Sequence, residues 1–280
     1  MSFFETEELV RLALREDLAS AGDVTSRAVI PEDDECEAEI VAKEDWLILA
    51  GTEPASVVFS LLDASVRLDF LAHQDGNRLE RGEVVCRLAG RTRSVLAGER
   101  LALNFLQRLS GIATLTRRCV EAVAPYKAKI LDTRKTTPGL RALEKAAVRA
   151  GGGENHRFGL YDGVLLKDNH IAAAGGVVEA VLRAKRGVPR GMKTEVEVVD
   201  LAGVEAALAA GADMLLLDNM TLDVIARAVR IVAGRVPLEA SGGMSLENIN
   251  EVAACGVDYI SMGAITHSAP AADLSLEIIG

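Results

Sequence analysis

The first apolar pattern along the chain has a helical period. In residues 7–18, Leu9, Leu12 and Leu18, with Val10 and Leu14 beside them, leave the charged side chains mostly on another face, which predicts an amphipathic helix. Gly22-Asp23 then turns the chain. From Cys36 to Ala42 the period drops to two: Cys36, Ala38, Ile40 and Ala42 fall on one side and Glu37, Glu39 and Val41 on the other, as in a half-buried strand. Residues 66–70 and 83–88 read as further strands, separated by the turn signals Gln74-Asp75-Gly76-Asn77 and Arg81-Gly82. This opening part is a small α+β unit.

Residues 94–123 return to a helical pattern, with Leu96, Leu103, Leu106 and Ile112 among the apolar positions. Ser110-Gly111 predicts a break into two helices and a domain boundary beside it. Beyond it, short apolar runs alternate with helical segments, the pattern of βαβ units and a parallel sheet. The runs are residues 129–132, 164–167, 195–198, 214–218, 238–241 and 259–263, and the helices between them are 139–150, 177–186, 201–210, 222–232 and 245–254. A complete (β/α)₈ barrel needs eight strands, so six predict either an incomplete α/β barrel or an open doubly wound sheet. The expected domains are 1–109 and 110–269, with the tail 270–280, too short for another βα unit, returning to the first.

Composition changes the picture by exclusion. A chain of 280 residues that is 49% apolar can bury a substantial core. Its formal charge of -10 and pI near 5.0 argue against nucleic-acid or membrane-surface binding, which need a broad positive field. Cys36, Cys86, Cys119 and Cys255 are scattered with no Cys-x-x-Cys spacing, which disfavours a disulfide framework or thiolate metal site and suits the cytosol. The start, MSFFETEELV, is acidic and lacks an apolar signal core, and no run of about 18 apolar residues occurs. A cytoplasmic protein is expected.

One stretch runs against this acidic balance. Between Lys127 and Lys167 nine lysines and arginines meet four acidic residues, in a chain with 31 basic and 41 acidic ones. An anion is expected there. Chemical side chains also recur at or just after the predicted strand ends: Arg134 and Lys135, Lys167, Glu197, Asp218, Ser241-Gly242-Gly243, and Gly263 with Thr266-His267-Ser268. In parallel α/β folds that edge is where active sites form, because the βα loops converge there. The last two loops suit a phosphate cradled by backbone N–H groups, although such glycines also serve ordinary turns. Glu197 and Asp218 suit Mg²⁺, a hard cation that takes one or two carboxylates plus phosphate oxygens and waters, or else ion pairs with Lys135 and Lys167. Arg134, Arg157, Lys135 and Lys167 exceed one phosphate's needs, so forked guanidinium groups point to a second, carboxylate-bearing ligand. Arg141, Lys145 and Arg149, spaced along one helix, read as a solvated face. His156 reads equally as a loop histidine bonded to backbone or as a ligand contact, and His170 as a residue that orients Lys167. No Ser-His-Asp or Cys-His arrangement favours covalent acyl chemistry.

Taken together and in order, Gly22-Asp23-Val24-Thr25, Glu99-Arg100-x-x-x-Asn104, Leu109-Ser110-Gly111-Ile112-Ala113-Thr114, Asp132-Thr133-Arg134-Lys135-Thr136, Gly151-Gly152-Gly153-x-Asn155-His156-Arg157, Lys167-Asp168-Asn169-His170, Glu195-Val196-Glu197-Val198, Leu217-Asp218-Asn219, Ser241-Gly242-Gly243 and Gly256-Val257-Asp258 resemble the quinolinate phosphoribosyltransferase family, the decarboxylating nicotinate-nucleotide pyrophosphorylases. The resemblance spans essentially the whole chain. It implies an N-terminal α/β sandwich joined by the C-terminal tail, and an incomplete α/β barrel. It implies condensation of quinolinate with 5-phosphoribosyl 1-pyrophosphate to nicotinate mononucleotide, pyrophosphate and carbon dioxide, with Mg²⁺. Carried over, Arg134, Arg157 and Arg100 of a neighbouring subunit would hold the quinolinate carboxylates, with Thr133 and His156 in the same pocket. Lys135 and Lys167 would contact quinolinate or the phosphates, Glu197 and Asp218 the ribose hydroxyls and Mg²⁺, and Ser241, Gly242, Gly243 and Gly263, flanked by Met262 and Ala264, the 5-phosphate. A homodimer, or a hexamer built from dimers, is implied.

Three rivals stand beside that expectation. A molybdenum-transport-associated paralogue of the same fold usually departs from the Lys-Asp-Asn-His and Asp-Thr-Arg-Lys patterns kept here. A Schiff-base barrel lyase would use Lys167 as its amine. A phosphate-metabolite sensor would keep only the pocket.

Overall fold

The computed structural model describes residues 3–71, 73–189 and 191–279; Met1, Ser2, Ala72, Arg190 and Gly280, the last residue of the predicted tail, lie outside them. The chain divides into two compact units, one of residues 1–117, 137–152 and 269–280 and the other of residues 118–136 and 153–268.

In the first unit helices α1 (Phe3–Leu18) and α2 (Val24–Val29) precede strand β1 (Glu35–Ala42). The Asp23 carboxylate caps α2 by accepting from the backbone N–H of Thr25 and Ser26, both at 3.0 Å. Strands β2 (Trp46–Ile48), β3 (Arg67–Asp69), β4 (Arg78–Glu80) and β5 (Val84–Arg91) follow, with helix α3 (Thr52–Leu62) after β2. The period-two pattern of β1 is real: Cys36, Ala38, Ile40 and Ala42 are buried and the residues between them are not. Both strands predicted over residues 66–70 and 83–88 form. β3 does pair antiparallel with β5, but β4 lies between them in sequence and pairs instead with β2. The turn residue Asp75 acts at a distance, accepting from the N–H of Gly51 and Thr52 at 3.1 Å where α3 starts. The C-terminal strand β12 (Leu274–Ile278) pairs antiparallel with β1, giving a sheet of order β12-β1-β5-β3.

Helix α4 (Thr92–Val123) corrects the predicted break, because it runs unbroken through Ser110 and Gly111. Both residues are there for close packing. The buried Ser110 hydroxyl accepts from Ala50 N–H at 3.0 Å and donates to Ala50 C=O at 3.2 Å, so its polar group is satisfied without unwinding the helix. A Cβ on Gly111 would lie 1.9 Å from the Pro270 carbonyl oxygen.

Helix α5 (Arg141–Ala150) also belongs to the first unit and corrects the reading of its charges. Arg149 is exposed, but Lys145 is only 1% exposed, so residues 141, 145 and 149 are not one solvated face. The cause is close approach of α5 to α4. Buried Glu144 takes Arg108 Nη2 at 2.9 Å and the Thr137 hydroxyl at 2.8 Å, and a Cβ on Gly151 would meet the Ala113 carbonyl oxygen at 2.4 Å. Gly151, the first residue of the glycine run, is therefore a packing contact.

The second unit carries the predicted parallel sheet. Its strands are β6 (Lys129–Leu131), β7 (Val164–Leu166), β8 (Thr194–Val198), β9 (Met214–Asp218), β10 (Leu238–Ser241) and β11 (Tyr259–Ser261), in the order β6-β11-β10-β9-β8-β7. Helices α6 (Asp168–Ala174), α7 (Val177–Gly187), α8 (Leu201–Ala209), α9 (Leu222–Val232), α10 (Ile249–Ala254) and α11 (Ala264–His267) lie between or after them. Runs such as Met214-Leu215-Leu216-Leu217 are continuous rather than alternating because both faces of a parallel sheet are covered. The helix predicted from residue 245 starts at Ile249, so the glycines after β10 form a loop of their own. Cys36, Cys86, Cys119 and Cys255 are free thiols, the first three buried. Among the described residues no helix is long and apolar enough to cross a membrane.

Gly111→Ala separates packing from propensity. Alanine would gain about 1 kcal/mol of helix propensity, whereas forcing a methyl group into a filled contact costs about 1–3 kcal/mol or more. A net loss of stability in urea unfolding is expected; a gain would show that the helix tolerates the methyl group.

Candidate active site

A cavity of about 410 Å³ opens at the C-terminal edge of the parallel sheet. Every strand contributes. Thr133, Arg134 and Lys135 come from the loop after β6, Leu165 and Lys167 from β7 and its end, and Glu197 from β8. Leu216, Asp218 and Asn219 come from β9, Glu239, Ser241, Gly242 and Gly243 from β10, and Ser261 from β11, while His156 and Arg157 reach in from the segment before β7. The residues predicted from the first five strand ends thus share one space. Those after β11 do not line it: Met262 is buried, and Gly263 and Ala264 lie outside the lining. Gly263 still matters to it, since a Cβ there would come within 2.9 Å of Lys135 Cδ. Arg100 is an exposed residue of α4 in the first unit and is not among the lining residues.

The cationic rim is held by its own motif neighbours. Buried Asp132 accepts from Asn155 Nδ2 and, at 2.9 Å, from the His156 N–H, while Leu131 bridges Glu154 in parallel. The 154–157 segment is thereby laced onto the end of β6. Thr133 Oγ1 accepts from the Lys135 N–H at 3.0 Å, a side-chain turn that sets the direction of Arg134 between them. Arg157 Nη1 donates to the Gly163 C=O at 2.9 Å, and Asp162 accepts from the N–H of Phe158 and Gly159, closing that loop on itself. Burial, with Arg134 nearby, pulls the pKa of Arg157 below its ordinary value. Two guanidinium groups in one partly buried place favour an anion between them. His170 is structural, as expected: its Nδ1 accepts from the Lys167 N–H at 3.0 Å where α6 begins.

Opposite the cations stand carboxylates. Glu197 lies 3.8 Å from Lys167 Nζ, and its pKa is raised, by burial first, with Lys167 opposing and Asp218 adding to the rise. The ion-pair alternative therefore holds for Glu197 and Lys167. It does not exclude a cation, because two hard oxygen donors that repel one another at one cavity wall suit Mg²⁺. After β10, Gly242 and Gly243 adopt φ of +86° and +63°, a left-handed turn that exposes backbone N–H groups, and Asn248 Nδ2 pins it by donating to the Gly243 C=O at 3.0 Å.

Sequence reasoning passed over the acids beneath this floor. Glu195 is 7% exposed and Glu239 0%. His156 Nε2 lies 3.0 Å from Glu195 Oε2 and 3.5 Å from Glu239 Oε2, and the three groups fall within 4.8 Å of one another. Period-two alternation carried the signal, since Glu195 precedes Glu197 by two residues and Glu239 precedes Ser241 by two, placing them on the same faces. The cluster has the composition of a metal site, but the histidine is turned the wrong way. A metal-bound imidazole offers one nitrogen to the ion and donates from the other, whereas here Nδ1 accepts the Arg157 N–H at 2.8 Å. The ring is therefore the neutral form with its proton on Nε2, directed at Glu195. Burial opposes a charge on His156, but Glu195 and Glu239 favour one and leave its pKa above the ordinary value; the charged form would have to give up the bond that Nδ1 accepts from Arg157. Burial, then repulsion from Glu195, pushes the Glu239 carboxyl up to about 8, so it is protonated at neutral pH.

A parallel α/β unit whose strand ends enclose a double-arginine pocket, two lysines, two carboxylates and a glycine-rich anion loop defines a protein built to bring two anionic ligands together. The chain belongs to the quinolinate phosphoribosyl transferase family: the model of the family's N-terminal domain matches residues 23–110 and that of its C-terminal domain residues 112–277. It is 45% identical to a probable nicotinate-nucleotide pyrophosphorylase (carboxylating) of Bacillus subtilis over 99% of this chain and 95% of that protein. It is 41% identical to the chloroplastic nicotinate-nucleotide pyrophosphorylase (carboxylating) of Arabidopsis thaliana over 98% of this chain and 83% of that one. The solved structure of the nicotinate-nucleotide pyrophosphorylase from Francisella tularensis superposes with a TM-score of 0.94 at 40% identity, covering 100% of this chain and 98% of that one.

The protonation of Glu239 carries a stability signature. Its folded pKa is raised above the ordinary 4.5, so its contribution is fully present below that value and is lost as pH climbs through about 8. Wild-type stability relative to Glu239→Gln is expected to fall with rising pH across that window, by at most about 1.4 kcal/mol per pH unit. Parallel pH profiles of the two proteins in urea unfolding would show that Glu239 is ionised in the fold.

Proposed function

We propose that this protein transfers the phosphoribosyl group of 5-phosphoribosyl 1-pyrophosphate to quinolinate and releases carbon dioxide, giving nicotinate mononucleotide for NAD biosynthesis. The observation that carries the reading is the pairing, in one cavity, of a double-arginine pocket at Arg134 and Arg157 with the glycine loop at Gly242-Gly243. One fits a dicarboxylate, the other a sugar phosphate. Identities of 45% and 41% to the two pyrophosphorylases, with the Asp132-Thr133-Arg134-Lys135 and Lys167-Asp168-Asn169-His170 runs intact, support this over the transport-associated paralogue. A Schiff-base lyase is disfavoured because Lys167 lies in ion-pair geometry with Glu197, not in the apolar pocket that makes a lysine nucleophilic.

In this reading Arg134 and Arg157 clamp the two carboxylates and align the pyridine nitrogen with the ribose. Thr133 and His156 shape that pocket, the latter through its ring rather than its nitrogens, both of which are engaged by protein. Lys135 and Lys167 stand at the junction of the substrates and stabilise departing pyrophosphate. The developing positive charge on the sugar lies near Glu197 and Asp218. These two carboxylates would hold Mg²⁺, which when bound neutralises phosphate charge. Once the pyridinium forms, the adjacent carboxylate leaves as carbon dioxide, the bonding pair stays on the ring carbon stabilised by the neighbouring cationic nitrogen, and that carbon takes up a proton from solvent. Ser241, Gly242 and Gly243 take the 5-phosphate, while Gly263 leaves room for Lys135, whose Cδ lies 2.9 Å from where a Cβ on Gly263 would be.

Two finer features belong to the same proposal. The sheet is an incomplete barrel, supported by the placement of β6 and β7, neighbours in sequence, at its opposite edges, and by the contribution of all six strands to one cavity. The enzyme is a homodimer or a hexamer of dimers in which Arg100, exposed on α4, reaches the neighbouring site.

Purified protein with quinolinate, phosphoribosyl pyrophosphate and Mg²⁺ is expected to release carbon dioxide and form nicotinate mononucleotide; turnover of nicotinate but not quinolinate would overturn the assignment. Arg134→Ala is expected to weaken quinolinate binding by roughly ten- to a hundredfold, the worth of a charged hydrogen-bonded pair, with a far smaller effect on phosphoribosyl pyrophosphate. Equal losses for both ligands in calorimetry would refute the role of Arg134. Mixing inactive Arg100→Ala and Arg134→Ala proteins is expected to restore part of the activity through hybrid dimers, and no recovery after subunit exchange would exclude the shared site.

A further inference from the structure

Asn219 has left-handed backbone at φ +52°, and of the described non-glycine residues with positive φ, Ala19, Leu71, Asn219 and Ala233, it alone lines the cavity. Asparagine tolerates this conformation better than most side chains. Three contacts converge on it. Its N–H donates to the Ser241 C=O at 3.0 Å, which carries the pairing of β9 with β10 one step past the Asp218–Ser241 register. Its side-chain Nδ2 donates to Asp218 Oδ2 at 2.8 Å. Its amide also lies against the bare Cα of Gly242, where a Cβ would come within 2.3 Å of Asn219 Oδ1 and 2.4 Å of Cγ.

A turn alone does not need this side chain. Glycine would satisfy the backbone at no steric cost, but only the amide both occupies Asp218 Oδ2 and fills the space over Gly242. We propose that Asn219 is a positioning residue that locks the Asp218 carboxylate to the Ser241-Gly242-Gly243 loop, so that the sugar-phosphate substrate meets the two as one preformed surface. Oδ1 of Asp218, and the lone pair that Oδ2 keeps, remain to address the ligand. The requirement for glycine at 242 follows from the same contact, because a side chain there would displace the amide and release Asp218. The proposal rests on the phosphoribosyl-transfer reading and adds a residue to which that reading assigns no part.

The test uses the full-length enzyme and three variants. Asn219→Gly keeps the backbone conformation and removes the amide, Asn219→Asp keeps the shape but sets a second carboxylate against Asp218, and Asn219→Gly is also combined with Asp218→Asn. Dissociation constants for phosphoribosyl pyrophosphate with Mg²⁺ and for quinolinate are measured separately by calorimetry, beside KM and kcat. Asn219→Gly is expected to weaken phosphoribosyl pyrophosphate by roughly three- to tenfold, the worth of one hydrogen bond, and to leave quinolinate unchanged. Asn219→Asp should weaken it more, through like-charge repulsion. In the Asp218→Asn background the added loss from Asn219→Gly should shrink, since the carboxylate it positioned is gone. Unchanged phosphoribosyl pyrophosphate affinity in Asn219→Gly, equal weakening of both substrates, or strictly additive losses would overturn the proposal while leaving the assigned reaction intact. Failure of the wild-type protein to bind phosphoribosyl pyrophosphate would instead overturn the reaction, and this proposal with it.

Discussion

Acidic side chains inside a parallel sheet are expensive to bury, and much of the second unit follows from how these are accommodated. Glu195 and Glu197 stand on one face of β8; the register sets Glu197 beside Leu216 and Leu216 beside Glu239. Each acid meets its cost differently. Glu197 faces Lys167, Glu195 receives the His156 Nε2 proton, and Glu239 keeps a proton of its own. Among the described residues Glu195 Oε1 and both Glu239 carboxyl oxygens still lack a hydrogen-bond partner, so the cost of burying these acids is only partly met. This division lets an acidic protein present a locally cationic mouth to anionic ligands.

The runs that carry the family resemblance split into residues that do chemistry and residues that hold the first kind still. Asp132 and Asn155 fasten the loop that carries His156 and Arg157; Asp162 closes the loop behind Arg157; His170 fixes the backbone of Lys167. Arg157 and Lys167 are long, flexible side chains, and binding energy is lost if their anchors move. Fixing the backbone through short polar side chains beside each cation reduces the entropy that ligand binding must overcome. Asn219 belongs with this second group on the anionic wall.

Most of the second unit was legible from the chain alone. Strand ends are local features: an apolar run, then a residue with chemistry, then a helical period. That placed Arg134, Lys135, Lys167, Glu197, Asp218 and Ser241 around one space before any contact was seen, and their order identified the family. The resemblance also supplied what no periodicity contains, the identity of the two substrates. The first unit was read less well, because β2 and β4 are three-residue strands too short to show a period. Residues that looked like punctuation or solvent-facing charge were misread for a related reason. Ser110-Gly111 carries the signature of a break, and Lys145 that of an exposed face.

What the sequence by itself determined is the alternation of elements, the side of each strand on which an acid lies, and the gathering of cations and carboxylates at one sheet edge. All of these follow from periods of two and 3.6 residues and from the polarity of parallel strands. Only the tertiary structure decided that Gly111 is a contact with Pro270, that Lys145 is buried, that His156 directs its proton at Glu195, and that Glu239 is neutral. Each depends on the approach, within a few ångströms, of segments far apart in sequence, and on the removal of water that the approach brings about. Neither the approach nor the desolvation is encoded in any local pattern.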